Sequence, residues 1–135
     1  MTDFRVSEAA ALLGVSDDTV RRWSEAGRLT LQKEHGRSVV RGPELASLAQ
    51  ELAAESALST AFPSSRASAR NRITGIVTKV TKDGVMAQVD MQAGPFRIVS
   101  LMSREAADEL GLEPGSLATA SVKATNVVIE LPGDH

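Results

Sequence analysis

The sequence predicts an α+β chain of two unlike halves, and three observations carry that reading. Up to about Ser56 the apolar residues recur at helical spacing between capping residues. Beyond Ala67 they come in alternating runs rich in Val, Ile and Thr, the pattern of half-buried strands. Between the two lies SALSTAFPSSRA, which is rich in Ser and Ala around Pro63, keeps no period and reads as a linker. The expected organisation is a first domain over 1–55, a linker over 56–67 and a second domain over 68–132. A chain of 135 residues has room for two small domains of this kind.

In the first half, Ser7 caps a helix over Glu8–Leu13 and Gly14 stops it. Ser16 caps a second helix that starts at Asp17, where Asp17 and Asp18 sit favourably in the helix dipole, and Val15 and Val20 stand at staple positions. Gly27 ends that helix. Leu29–Leu31 and Ser38–Val40 flank a turn at Glu34-His35-Gly36 and form a small hairpin. Gly42-Pro43-Glu44 opens a third helix with Leu45, Leu48 and Leu52 on one face. In the second half, strands are expected at Ile73–Thr81, Val85–Met91, Phe96–Leu101, Leu117–Ala124 and Val127–Leu131, with a short helix over Ser103–Leu110. Five short strands with a helix between the third and fourth make a small OB-like β-barrel. The whole is then an all-α helix-turn-helix domain with a hairpin wing, followed by that barrel.

Composition narrows the function. There is no Cys, which removes disulfides, thiolate zinc sites and thiol nucleophiles. The two histidines are His35 in a turn and His135 near the end, and no Ser lies in a nucleophile elbow or phosphate loop, so no enzyme is expected. Phe4, Phe62, Phe96 and Trp23 are the whole aromatic complement, too few for a base-stacking platform, which counts against a single-strand binder. No apolar run reaches the roughly 18 residues of a membrane span and no signal peptide is read, so the cytoplasm is the expected compartment.

Net charge is −2, but it is unevenly spread. Met1–Val20 carries one Arg against four acids; Arg21–Arg41 carries six Lys or Arg against two; Gly42–Arg66 carries one Arg against three. The result is a local basic footprint inside an acidic half. On the second helix Val20 and Trp23 share the core face, which turns Arg21 and Arg22 outward. Asp18 with Arg22, and Arg21 with Glu25, also have the spacing of solvated ion pairs.

The residues SEAAALLGVSDDTVRRWSEAGRL, followed by GRSVVRGPEL, resemble the winged helix-turn-helix of the MerR and excisionase-like families. The resemblance implies a second helix in the major groove of double-stranded DNA, with Thr19, Arg21 and Arg22 in or beside the groove and Lys33, His35 and Arg37 on the wing. In the second half, Ser68-Ala69-Arg70-Asn71 before GIVTKVTKDGVMAQVDM, the Ser100-x-x-Ser103 step, the GLEPGS turn and Val122-Lys123-Ala124-Thr125-Asn126-Val127 are similar to the Mop (molbindin) or TOBE domain. That resemblance implies molybdate or tungstate as ligand and no organic cofactor. The oxyanion would be held by Ser68, Arg70, Ser100, Ser103, Lys123 and the Ala124 backbone. It also implies a homo-oligomer, dimer-based and up to a hexamer, with the anion between subunits. Read without the resemblance, Arg70 is a strand-edge charge and Lys123 an edge gatekeeper.

The donor chemistry agrees with such a ligand. Molybdate at neutral pH is a tetrahedral dianion that only accepts hydrogen bonds, and Ser, Arg, Lys and backbone N–H all donate. A protonated phosphate would leave its O–H unpaired at a cost of about 1–3 kcal/mol. A barrel of this size buries only about 60% of its unfolded surface, so association would help it. The expectation is an oxyanion-responsive, DNA-binding transcriptional regulator; the alternative is a molybdate-storage protein whose helical domain serves assembly.

Overall fold

A computed structural model describes residues 2–62 and 70–133. The chain divides into two compact units, Met1–Pro63 and Ser64–His135. The first is not all-α. Its strand β1 (Asp3–Arg5) pairs antiparallel with β3 (Arg37–Arg41), which also pairs with β2 (Gln32–Glu34), giving a three-stranded sheet in the order β1-β3-β2. In the register Phe4 faces Val40 and Gln32 faces Val39. The hairpin sits slightly later than its expected bounds, and Leu29 and Leu31 precede it as core residues rather than strand.

Helix α1 (Val6–Leu13) starts two residues before the expected Glu8. Its cap is Arg5, whose N–H donates to Glu8 Oε1 at 2.9 Å, while Gly14 ends it in the left-handed conformation. Helix α2 (Asp17–Glu25) begins where expected, with Ser16 Oγ accepting from Thr19 N–H at 3.1 Å. Helix α3 (Gly42–Ala54) opens on Gly42, whose N–H donates to Thr2 O; a Cβ there would meet that carbonyl at 2.6 Å, so no larger residue fits. Val6, Ala9, Ala10, Val20, Leu29, Val40, Leu45 and Leu48 form one buried cluster, with Phe4, Leu13, Val15, Trp23, Leu31 and Leu52 packed against it. Trp23 is half-buried there, its ring covered by the Arg28 guanidinium 5.6 Å from the centroid. A short helix α4 (Ala57–Ala61) occupies part of the stretch read as linker, and 63–67 lies outside the described residues.

The second unit is one curled antiparallel sheet in the order β6-β5-β4-β7: β4 (Asn71–Lys82), β5 (Met86–Ala93), β6 (Phe96–Ser103) and β7 (Leu117–Val122). Helix α5 (Arg104–Leu110) follows β6. A bulge between Val77 and Lys79 re-aims β4. The turn Glu113–Ser116 docks onto it there, with Val77 N–H donating to Ser116 O and Gly115 N–H to Val77 O, each at 2.8 Å. Gly75 lies where a Cβ would meet Gln92 O at 2.3 Å. The expected fifth strand is missing from the sheet. After a 3-10 turn over Ala124–Asn126, Val127–Leu131 joins no strand among the described residues, and Val128, Ile129 and Leu131 are more than four-fifths exposed. Among the described residues, edges β6 and β7 therefore stay open.

Candidate functional sites

In the first unit the core assignment of Val20 and Trp23 sends the opposite face of α2 outward. Arg21 and Arg22 are exposed and Thr19 is half-buried. Arg22 Nη2 donates to Thr19 Oγ1 at 3.2 Å and its Nε lies 3.6 Å from Asp18 Oδ2; Thr19 Oγ1 is 3.0 Å from Ser16 Oγ. Of the two ion pairs that spacing allowed, only Asp18–Arg22 forms. The acid lies N-terminal to the base in that pair, the better order in the helix dipole, whereas Arg21 and Glu25 have the reverse order. Among the described residues Arg21 makes no ion pair.

The wing turns on His35 and Gly36, both at positive φ (51° and 77°), which makes it the tight two-residue turn that matches strand twist. Lys33, His35 and Arg37 are exposed, but not on one face. Lys33 pairs with Ser38, while His35 and Arg37 line a shallow groove with Asp3, Arg5, Glu8, Glu34 and Val39. Three acids in that groove make it no purely cationic surface. No hydrogen bond or ion pair links Thr19, Arg21 or Arg22 to Lys33, His35 or Arg37 among the described residues.

In the second unit, strand pairing brings the two ends of the motif together. Asn71 lies opposite Val122, and its side-chain N–H donates to Val122 O at 3.1 Å, which sets exposed Arg70 beside the Lys123-Ala124 end of β7. Lys123 is exposed and takes the cap position of the 3-10 turn that Ala124 opens. Ser68 lies outside the described residues. Ser100, opposite Val89 on β6, lines a trough of about 310 Å³ with Met91, Ile98, Met102 and Ala118–Val122. The curl thus turns Ser100 toward β7, the strand that leads into Lys123. Ser103 stands apart, beside Gly84, Arg104, Glu105 and Asp108. Its Oγ accepts from Ala106 N–H at 3.1 Å as the cap of α5, which leaves its own hydrogen to donate.

Asn71 was quoted in the opening motif but given no role, and its amide is the clasp between the two motif ends. Elsewhere in this unit, carboxylates are held ionised by local donors. Asp83 is pulled below its ordinary pKa by the N–H groups of Met86 and Val85. Asp90 is pulled down by Arg97 and then Gln88, and Asp108 by Lys82.

A chain whose first half presents a helix with outward arginines and whose second half is an open, curled sheet with cations at its strand ends belongs to a defined class. A helix-turn-helix domain matches residues 4–51 and a TOBE domain matches residues 67–129. The chain belongs to the TOBE-domain (Mop) family, with the helix-turn-helix placed ahead of that domain. It is 41% identical over 63 residues to molybdenum-pterin-binding protein 2 of Clostridium pasteurianum, a stretch covering 46% of this chain and 93% of that one. It is 40% identical over 68 residues to molybdenum-pterin-binding protein MopA of Rhodobacter capsulatus, covering 50% of this chain but only 26% of that protein. A solved molybdate-binding protein from Sporomusa ovata is 30% identical, with a TM-score of 0.48 over 50% of this chain and all of that one. These relatives are named as molybdenum-pterin-binding or molybdate-binding proteins. Among the described residues no helix is long and apolar enough to cross a membrane.

Proposed function

We propose that this chain is a DNA-binding transcriptional regulator that responds to molybdate or tungstate. The observation that carries the reading is the union of two domains in one chain: a helix-turn-helix that exposes Arg21 and Arg22, and a TOBE domain whose named relatives bind molybdenum-pterin or molybdate. Arg70, Lys123 and the Ala124 N–H hold the oxyanion with Ser68 and Ser100, and Ser103, which stands apart within one copy, joins from a second copy. Every one of these groups can donate, which suits a dianion without a proton. Double-stranded DNA is the macromolecular partner, and the compartment is the cytoplasm.

Assembly belongs to the same proposal. The bare segment Val127–Leu131 and the open edges of β6 and β7 support a homo-oligomer in which a second copy covers this apolar chain. An oxyanion bound between copies then fixes one arrangement of the DNA-reading domains. By linkage, DNA must alter oxyanion affinity by the same factor.

The test is fluorescence anisotropy of the full chain on duplexes from upstream of its own gene, with molybdate, tungstate or sulfate added. Molybdate and tungstate should shift the DNA affinity and sulfate should not. Lys123→Ala should weaken molybdate binding about 10- to 100-fold in calorimetry, the value of one charge-assisted bond, and abolish the shift. DNA binding that ignores molybdate would overturn the regulatory coupling. Molybdate binding with no DNA binding would favour storage instead.

A further inference from the structure

We infer that Arg22 is the residue of α2 that reads a guanine in the major groove, and that Asp18 is the positioning residue that aims it; this rests on the DNA-reading proposal above. The two outward arginines are neighbours in sequence but not equivalents in structure. Arg21 makes no ion pair among the described residues, so nothing there fixes the direction of its guanidinium, which suits a phosphate met from any direction. Arg22 is gripped on two sides, with Nη2 on Thr19 Oγ1 at 3.2 Å and Nε facing Asp18 Oδ2 at 3.6 Å. Thr19 is held in turn against Ser16 Oγ.

The Thr19 bond uses one Nη2 hydrogen, and the Asp18 carboxylate faces the Nε side as an opposite charge at ion-pair distance. What remains free is the far end of the fork, the two Nη1 hydrogens and the second Nη2 hydrogen. That end-on edge matches the paired acceptors O6 and N7 of guanine, and no other base edge in the major groove offers two acceptors side by side.

The acid needs its own explanation. The helix dipole favours Asp17 and Asp18 alike, but only Asp18 sits one turn before Arg22. Both partners of the pair are more than two-thirds exposed, so it adds little to the stability of the fold. On a helix that approaches phosphates, a carboxylate weakens binding to every sequence. Fixing the fork while penalising indiscriminate backbone contact raises discrimination at the expense of affinity.

The experiment uses the full-length protein and a randomised duplex library. The site selected by the wild type is then measured by anisotropy beside single-base variants and an unrelated duplex, over a salt series. The expected site holds a guanine whose replacement costs the wild type roughly 5- to 150-fold in affinity. In Arg22→Ala that preference disappears. Arg21→Ala weakens all duplexes alike and reduces the salt slope by about one. Asp18→Ala gives the diagnostic signature: tighter binding to the unrelated duplex together with a smaller guanine preference, while Asp18→Glu, which keeps the opposite charge, recovers part of it. If Arg22→Ala weakens every duplex equally, or Asp18→Ala leaves the discrimination ratio unchanged, the inference is overturned and DNA reading still stands. If the wild type selects no duplex at all, the DNA-reading proposal itself falls.

Discussion

The two units solve the problem of a small core in opposite ways. The helix-turn-helix unit draws its eight-residue buried cluster from β3, α1, α2, α3 and the segment before the wing, so every major element contributes to one closed interior. In the TOBE unit most of the buried apolar residues, Ala87, Val89, Met91 and Ala93, come from the single strand β5. Leu101, Leu110, Leu117, Val128, Ile129 and Leu131 are left largely exposed. The first unit closes its core within one chain; the second leaves an apolar surface uncovered among the described residues, the surface that the proposed homo-oligomer would bury.

This contrast can be broken by experiment. Trp23 is the only tryptophan and lies in the first unit, so its fluorescence follows that unit, while the amide exchange of β4–β7, taken as the β signal, follows the other. Leu48→Ala, which empties a site only 2% exposed, should cost the first unit about 2–5 kcal/mol in urea unfolding. Its midpoint should not depend on protein concentration, whereas the β midpoint should rise with concentration. A β midpoint unmoved by dilution would erase the distinction between closed and open units.

Gly75→Ala should be next in size. It drives a Cβ against Gln92 O on the neighbouring strand and should cost the second unit about 1–3 kcal/mol, with the Trp23 transition unchanged. A fall in the Trp23 midpoint as well would mean that the two units unfold together. The smallest effect concerns acid. The folded pKa values of Asp83, Asp90 and Asp108 all lie below the ordinary carboxylate value, so the unfolded chain binds protons more readily there. The stability these groups contribute is fully present at neutral pH and should fade as pH drops below about 4. In Asp90→Asn the β transition should lose part of that acid dependence; an identical pH profile would remove Asp90 from the account.

The parts of the fold legible in the sequence are those whose causes are local. Ser16, Val15 and Val20 specify the start of α2 within a few residues of chain. Strand β1 was not legible, because three residues acquire strand character only from pairing with β3 more than thirty residues away. Val127–Leu131 carried a strand's composition but pairs with neither open edge among the described residues, because β-propensity measures fit to a neighbouring surface and does not say which surface a segment meets. In the candidate site, Arg70 and Lys123 could be named from their motif. The register of Asn71 against Val122, which brings their strand ends together, comes from pairing across the whole unit.

The uncovered tail also bears on the life of the chain in a cell. Val127-Val128-Ile129-Glu130-Leu131 is the kind of short apolar, β-prone segment that stacks with copies of itself into insoluble ladders. Two residues oppose this: Glu130 sets like charges side by side in any in-register stack, and Pro132 has no N–H to extend a ladder. In the proposed assembly the pairing that covers this segment is a second-order encounter between copies, and stacking is another. Scarcity slows the two encounters alike, so Glu130 and Pro132 act by tilting the competition between them, at any concentration, toward the pairing that keeps the chain dissolved.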